Sequence, residues 1–249
     1  MRAFKGTLLV LVLLTSAAAQ SSDPPLSDKR LTVHTLLRED IFAGFMNDND
    51  ARLTRAERNI ATLLKDRPEQ RANLLAWQAG ATAYRAVRAL EAGKPEEFER
   101  YFASMRAGFA DAAAQSNGND GVAAITGGTL VTFADRLPEK HRAAAWSQAY
   151  DNYAKLWQAQ GADIEKMPLH FKGEVLAGLT QSAQRTGRAD ESAQYLEKML
   201  VLLQGTPYES TAQQWKANPA SAATTNLTCK NCHAPGRLSA RLKVLENEK

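Results

Sequence analysis

The chain has 249 residues, 44% of them hydrophobic and 23% charged, which excludes a disordered or low-complexity protein and provides for one large core or two small ones. Its net charge of +4 arises from basic and acidic residues interspersed along the whole length, so composition points to no nucleic-acid partner. Two cysteines are too few for a disulfide framework.

Residues 1–19 have the pattern of a secretory signal peptide. Arg2 and Lys5 precede an apolar run over 7–14, and Ala17, Ala18 and Ala19 supply a small-residue site with cleavage expected before Gln20. The run is too short to span a bilayer, so no integral span is expected after cleavage and the chain is expected to be periplasmic or secreted. The signal segment carries two of the positive charges, which leaves +2 of the +4 on the mature chain. Residues 20–30, polar and proline-containing, read as a disordered tether.

Beyond the tether the apolar residues recur at helical spacing and no period-two strand pattern occurs. Helices are expected over 31–46 and 51–65, separated by Asn47, Asp48, Asn49 and Asp50, and over 72–92 and 95–114, separated at Gly93. Pro95 suits a first helical position, and Glu96 and Glu97 suit the positive end of the helix dipole. A further pair covers 122–136 and 139–160, hinged at Leu137 and Pro138, and the last covers 169–186 and 189–203, followed by a short helix over 209–216. Long helices in pairs joined by short turns define an all-α fold.

The pairs repeat. Within 174–206, the small residues Ala177, Gly178 and Ala183 precede the turn Thr186-Gly187-Arg188, and Tyr195, Leu196, Met199 and Leu200 follow it. This pattern resembles a tetratricopeptide repeat. Weaker copies carry Gly44, Ala56, Ile60, Leu63 and Pro68, and then Gly93, Phe98, Phe102 and Met105. The helices at 72–92 and 139–160 exceed the length of a standard repeat. A degenerate helical-hairpin array, tetratricopeptide-like, is therefore expected over 31–216, with plain four-helix packing as the alternative. Such an array implies a surface for another protein.

The remaining segment, 217–249, reads as a small-residue linker over 218–226 followed by Cys229-Lys230-Asn231-Cys232-His233. C-x-x-C-H is the attachment signature of c-type haem. Cysteines three residues apart share one side of a helical turn, so both sulfurs reach the two vinyl groups of one haem edge. The next residue, His233, then offers the iron a proximal imidazole. Three other uses of the cysteines compete with this one. A structural zinc site wants four ligands, a thioredoxin-like pair wants a βαβ context, and a disulfide across two residues closes a very small loop. One covalent haem c is the expected cofactor.

With Pro235 and Gly236 behind the histidine, the stretch resembles the haem-binding segment of class I c-type cytochromes. Those proteins wrap a domain around the haem after the motif and supply a methionine from it, whereas the sixteen residues after His233 hold neither Met nor His. The four-helix cytochromes c′ carry their motif late and leave the sixth position open, but their helix runs on through it, which Pro235 and Gly236 would interrupt. The pocket is thus expected to be completed by the array, by a partner, or not at all.

Candidates for a sixth ligand are His34, His141, His170, Met46, Met105, Met167 and Met199. Met105 and Met199 fall on core positions, His141 opens a polar helix and is expected to be solvated, and His34 lies on a first helix expected to be mobile. His170 and Met167, at a loop-to-helix entry, are the expected distal candidates. Arg237, Arg241 and Lys243 follow the motif and could pair with haem propionates, or form a solvated basic face. No hydrolytic constellation occurs, and no catalytic residue is assigned. Two functions remain: an electron carrier serving a redox partner protein, or a haem-bearing adaptor or sensor with five-coordinate iron. Peroxide chemistry would need a distal acid/base that the sequence does not identify.

Overall fold

The structure, a computed structural model, describes residues 23–118, 120–224 and 235–248. The signal segment, and with it residues 20–22 of the expected tether, lies outside them, as do Cys229, Cys232 and His233.

Ten α-helices make up the described chain: α1 (Val33–Asn47), α2 (Asp50–Asp66), α3 (Arg71–Glu91), α4 (Pro95–Ala114), α5 (Asp120–Phe133), α6 (Glu139–Gln160), α7 (Leu169–Arg185), α8 (Ala189–Leu202), α9 (Glu209–Ala217) and α10 (Arg237–Asn247). Local chemistry sets their ends. The Thr32 hydroxyl accepts from the Thr35 amide to open α1, and the Asn49 side chain accepts from the Arg52 amide to open α2. Between α3 and α4 the chain reverses at Gly93 (φ +70°), a left-handed conformation that costs glycine little, and Pro95 restarts it. Gly187 (φ +75°) does the same between α7 and α8.

Consecutive helices pack as four hairpins, α1/α2, α3/α4, α5/α6 and α7/α8. The first helices also touch in series, α1 on α3, α3 on α5 and α5 on α7, so the hairpins stack with those helices on one inner row. The fold is the expected all-α helical-hairpin array. Among the described residues no strand occurs, and no helix is long and apolar enough to cross a membrane. The core is continuous through the hairpins, with Leu37, Ile41, Leu53, Ile60, Leu74, Phe98, Phe109, Phe133, Tyr153 and Leu179 all buried. A smaller cluster around Met199, Tyr208 and Trp215 seats α9 against α7 and α8.

Two expectations need correction, and one contact was not anticipated. Residues 23–30 are not a tether: Pro24 is buried, and the Arg67 guanidinium donates to the carbonyls of Leu26, Asp28 and Leu31 at 2.6, 2.9 and 2.6 Å. One buried cation that needs several acceptors ties down a stretch whose composition alone suggested disorder. The proposed linker is structured as far as Thr224, because Pro219–Ala223 form a 3₁₀ turn on α7 and α9 with Ala222 buried. Finally, α10 returns to pack on α1, so the segment after the motif belongs to the body of the array.

Candidate cofactor site

The inner row of the array encloses a cavity of about 340 Å³. Each first helix contributes to its wall: His34 and Phe42 from α1, Trp77 from α3, Ile125 and Thr129 from α5, and His170, Phe171, Glu174 and Val175 from α7, with Tyr153 and Leu156 of α6 closing one side. The volume lies in the range of small-molecule and cofactor pockets, and an apolar lining with a few polar groups is their usual chemistry.

Two imidazoles stand in this wall, and each is the second residue of its helix. His34 is fixed by the burial of its neighbours Val33, Leu36 and Leu37, and its ring lies 5.4 Å from that of Trp77 at an interplanar angle of 34°. Burial pushes its pKa down to about 4, with the positive charge of Arg38 and the nearby His170 adding to the effect. Its remaining accessible surface is cavity wall, which is why it is half-buried by area yet desolvated. His170 is lowered in the same direction, again by burial first, then by the charges of Arg237 and Arg38. Both imidazoles are therefore neutral at pH 7, the form in which a ring nitrogen has a lone pair to offer a metal. Beside them the Trp77 indole N–H and the Asn73 side-chain carbonyl are buried with no hydrogen-bond partner among the described residues.

Helices α7 and α1, away from the cavity itself, also hold the described chain before and after residues 225–234. Before the motif, the 3₁₀ turn lies on α7, where Arg185 donates to the Ala222 carbonyl. After it, Gly236 opens α10 without a capping side chain, and Glu39 of α1 serves in its place by accepting from the Leu238 amide at 2.7 Å. At the other end of α10, Arg30 donates to the Leu245 carbonyl at 3.2 Å. The two helices that flank the motif in this way, α7 and α1, are those that carry His170 and His34.

Of the expected distal residues, His170 reaches the cavity and Met167 does not line it; the Met167 amide closes the 3₁₀ turn over 161–166 by donating to Ile164. His34, set on a supposedly mobile helix, is instead held in the wall, because α1 is buried along most of its length. His141 is not solvated: its ring packs 4.3 Å from Phe102 and 6.2 Å from Phe98, and it does not line the cavity. Met105 and Met199 are core residues as expected, and Met46 is exposed. Arg237 stands exposed at the start of α10 with its charge felt by His170, and Arg241 faces Glu248 at 3.7 Å. Among the described residues no group of three or more His, Cys, Asp or Glu could hold a metal ion. The signal for His34 was in the sequence only as an analogy with His170, both being placed one residue inside a hairpin's first helix.

No family model, curated protein or solved structure matches the chain.

Proposed function

We propose that the chain is a mono-haem c-type cytochrome working outside the cytoplasm as an electron carrier, with haem c attached at Cys229 and Cys232, His233 as proximal ligand, and the inner cavity as its seat. The observation that carries this reading is a cavity with two neutral imidazoles, whose helices α1 and α7 also hold the segments flanking the motif. The residues present fit a haem in their chemistry: an aromatic and aliphatic lining for the ring and imidazole donors for the iron, with Arg237, outside the lining but close enough for its charge to reach His170, available for a propionate.

When bound, the haem supplies one-electron chemistry. The chain's own part is to bind and tune. Phe42, Trp77, Ile125 and Val175 line the cavity with apolar surface and would keep water from a haem held there, an environment that favours the less charged state of an iron. Burial keeps His34 and His170 deprotonated through neutral pH. The outer faces of the hairpins remain for a redox partner protein.

A denaturing gel stained for haem peroxidase activity tests the attachment. Colour is expected at the mass of the chain and is expected to vanish in the Cys229→Ala, Cys232→Ala double variant; colour that persists there would sink the reading. The reduced spectrum with and without carbon monoxide then separates carrier from sensor. A low-spin iron that resists carbon monoxide fits the carrier, and immediate binding would put the five-coordinate sensor first.

A further inference from the structure

The inner cavity is built from described residues throughout, and its chemistry can be read independently of the haem. We infer that it binds a small neutral aromatic molecule of about two fused rings bearing one hydroxyl group, and that this hydroxyl meets the imidazole of His34.

Size and shape argue first. A dry apolar cavity of about 150 Å³ holds one benzene ring. At about 340 Å³ this one has room for a second ring and a substituent. On α5 the sequence leaves that room: Gly121, Ala124 and Gly128 recur on the wall at helical spacing and carry little or no side chain. The other helices supply rings, with Phe42 of α1, Trp77 of α3, Tyr153 of α6 and Phe171 of α7 in the lining. Trp77 and Phe42 already meet edge-on at 6.1 Å and 85°, so a flat guest finds aromatic surfaces fixed in place.

Charge and hydrogen bonding argue next. Among the described residues no Lys or Arg lines the cavity and Glu174 does, so a buried anion would go uncompensated. A neutral guest avoids that cost. Other polar groups of the wall are committed: the Thr32 hydroxyl accepts from the Thr35 amide, and the Asn73 amide donates to Gln70 at 3.2 Å. The Trp77 N–H and the Asn73 carbonyl lack partners among the described residues but lie beneath the wall surface. His34 differs. Its imidazole packs on Trp77, makes no hydrogen bond among the described residues, and keeps its remaining surface as cavity wall. Left neutral by burial, it has one nitrogen that donates and one that accepts. A hydroxyl can do either, so it complements whichever nitrogen faces the cavity.

The full-length chain serves for the test, titrated with 2-naphthol by calorimetry or equilibrium dialysis. A haem seated in the same space would exclude the guest, so the Cys229→Ala, Cys232→Ala variant is titrated beside the natural chain. Saturable binding at a single site is expected in the double variant. Ala124→Phe in that background fills the cavity from α5 and is expected to abolish it. His34→Phe keeps a ring beside Trp77 without a nitrogen. It is expected to weaken 2-naphthol by about three- to tenfold and to leave naphthalene, which has no hydroxyl, unchanged. 2-Naphthoate, the anion on the same rings, is expected to bind at least about tenfold more weakly than 2-naphthol. No saturable binding in either protein overturns the inference, as does binding that survives Ala124→Phe. A His34→Phe protein that treats 2-naphthol and naphthalene alike overturns it too, as does preference for the anion. Should Ala124→Phe not fold, as judged by helical circular dichroism, Gly128→Leu fills the same space and is held to the same outcome. Binding to the haem-bearing chain as well upholds the inference and puts the haem outside the cavity. Haem attachment itself is read separately by the stained gel, so either reading can fail while the other stands.

Discussion

The first and fourth hairpins each place a histidine one residue inside their leading helix, yet they are held together by different physics. In the first, the buried Asp40 of α1 accepts from Arg52 at 2.7 Å and from two nitrogens of Arg55 at 2.6 Å each, so charge pins α2 to α1. In the fourth, size does the work. A Cβ on Gly173 would run into the ring of Tyr208, and one on Gly178 into the ring of Tyr153. The buried Thr180, Gln181 and Ser182 of α7 satisfy themselves on carbonyls one turn back in their own helix, at Leu176, Ala177 and Gly178. The first hairpin uses directional bonds to stay in register; the fourth, packed between α6 on one side and the segment leading into α9 on the other, uses close approach. Their histidines inherit the difference, His34 braced on Trp77 and His170 beside a solvent-exposed leucine.

The largest effect is expected where the first hairpin's charge is broken. Asp40→Ala leaves Arg52 and Arg55 crowded without their shared acceptor and should cost about 3–5 kcal/mol, read as a lower denaturant midpoint at unchanged slope. A loss below 1 kcal/mol would mean that the hairpin is held by its apolar seam alone.

Steric confinement in the fourth hairpin should yield a smaller loss. Gly178→Ala forces its methyl against Tyr153 and is expected to cost about 1–3 kcal/mol. Adding Tyr153→Leu should return part of that stability, because the second change removes the obstruction. Strictly additive losses in the double variant would remove the size argument.

A third change tests how α10 is tied to α1. Glu39→Gln keeps an acceptor near the Leu238 amide but removes the negative charge at the α10 N-terminus, at a cost of about 1 kcal/mol. Amide exchange in α10 should then accelerate by roughly fivefold, with α7 and α8 unaffected. Equal acceleration throughout the array would show that α10 has no separate anchor.

The smallest effect concerns acid. Arg30 holds the Asp28 carboxyl down to about 2, mainly through a hydrogen bond to its side chain. The native state therefore binds fewer protons than the unfolded chain between the ordinary value of 3.8 and about 2. The stabilisation is complete above that window and fades as pH falls through it. Comparing denaturant midpoints of the natural chain and Asp28→Asn from pH 6 to pH 2.5 should show a small gap that narrows only below pH 4. A gap that does not change with pH would assign the effect to geometry and not to charge.

The helices of the array were legible because their signals are local. Turn residues at 47–50, 93–95 and 186–188, and apolar residues at helical spacing, act within a few positions along the chain, and the observed helices begin and end close to where they indicate. The contacts that were missed are long. Arg67 captures the carbonyls of Leu26 and Asp28 from 41 and 39 residues away, which no reading of a polar, proline-containing stretch would suggest. His141 looked solvated because its own turn is polar; Phe98 and Phe102, which cover it, belong to the preceding hairpin.

The same division runs through the site. The C-x-x-C-H spacing at Cys229, Cys232 and His233 and the candidacy of His170 were legible in the chain alone, since spacing and a helix entry are properties of adjacent residues. That His34 shares a cavity with His170, that Met167 does not line it, and that the chain beyond the motif turns back onto α1 emerge only from the packing. Those outcomes depend on how four hairpins curve and on bonds such as Leu238 to Glu39 and Arg30 to Leu245, which join residues 199 and 215 positions apart. Local patterning carries no record of partners that distant, because they meet only after the array has stacked.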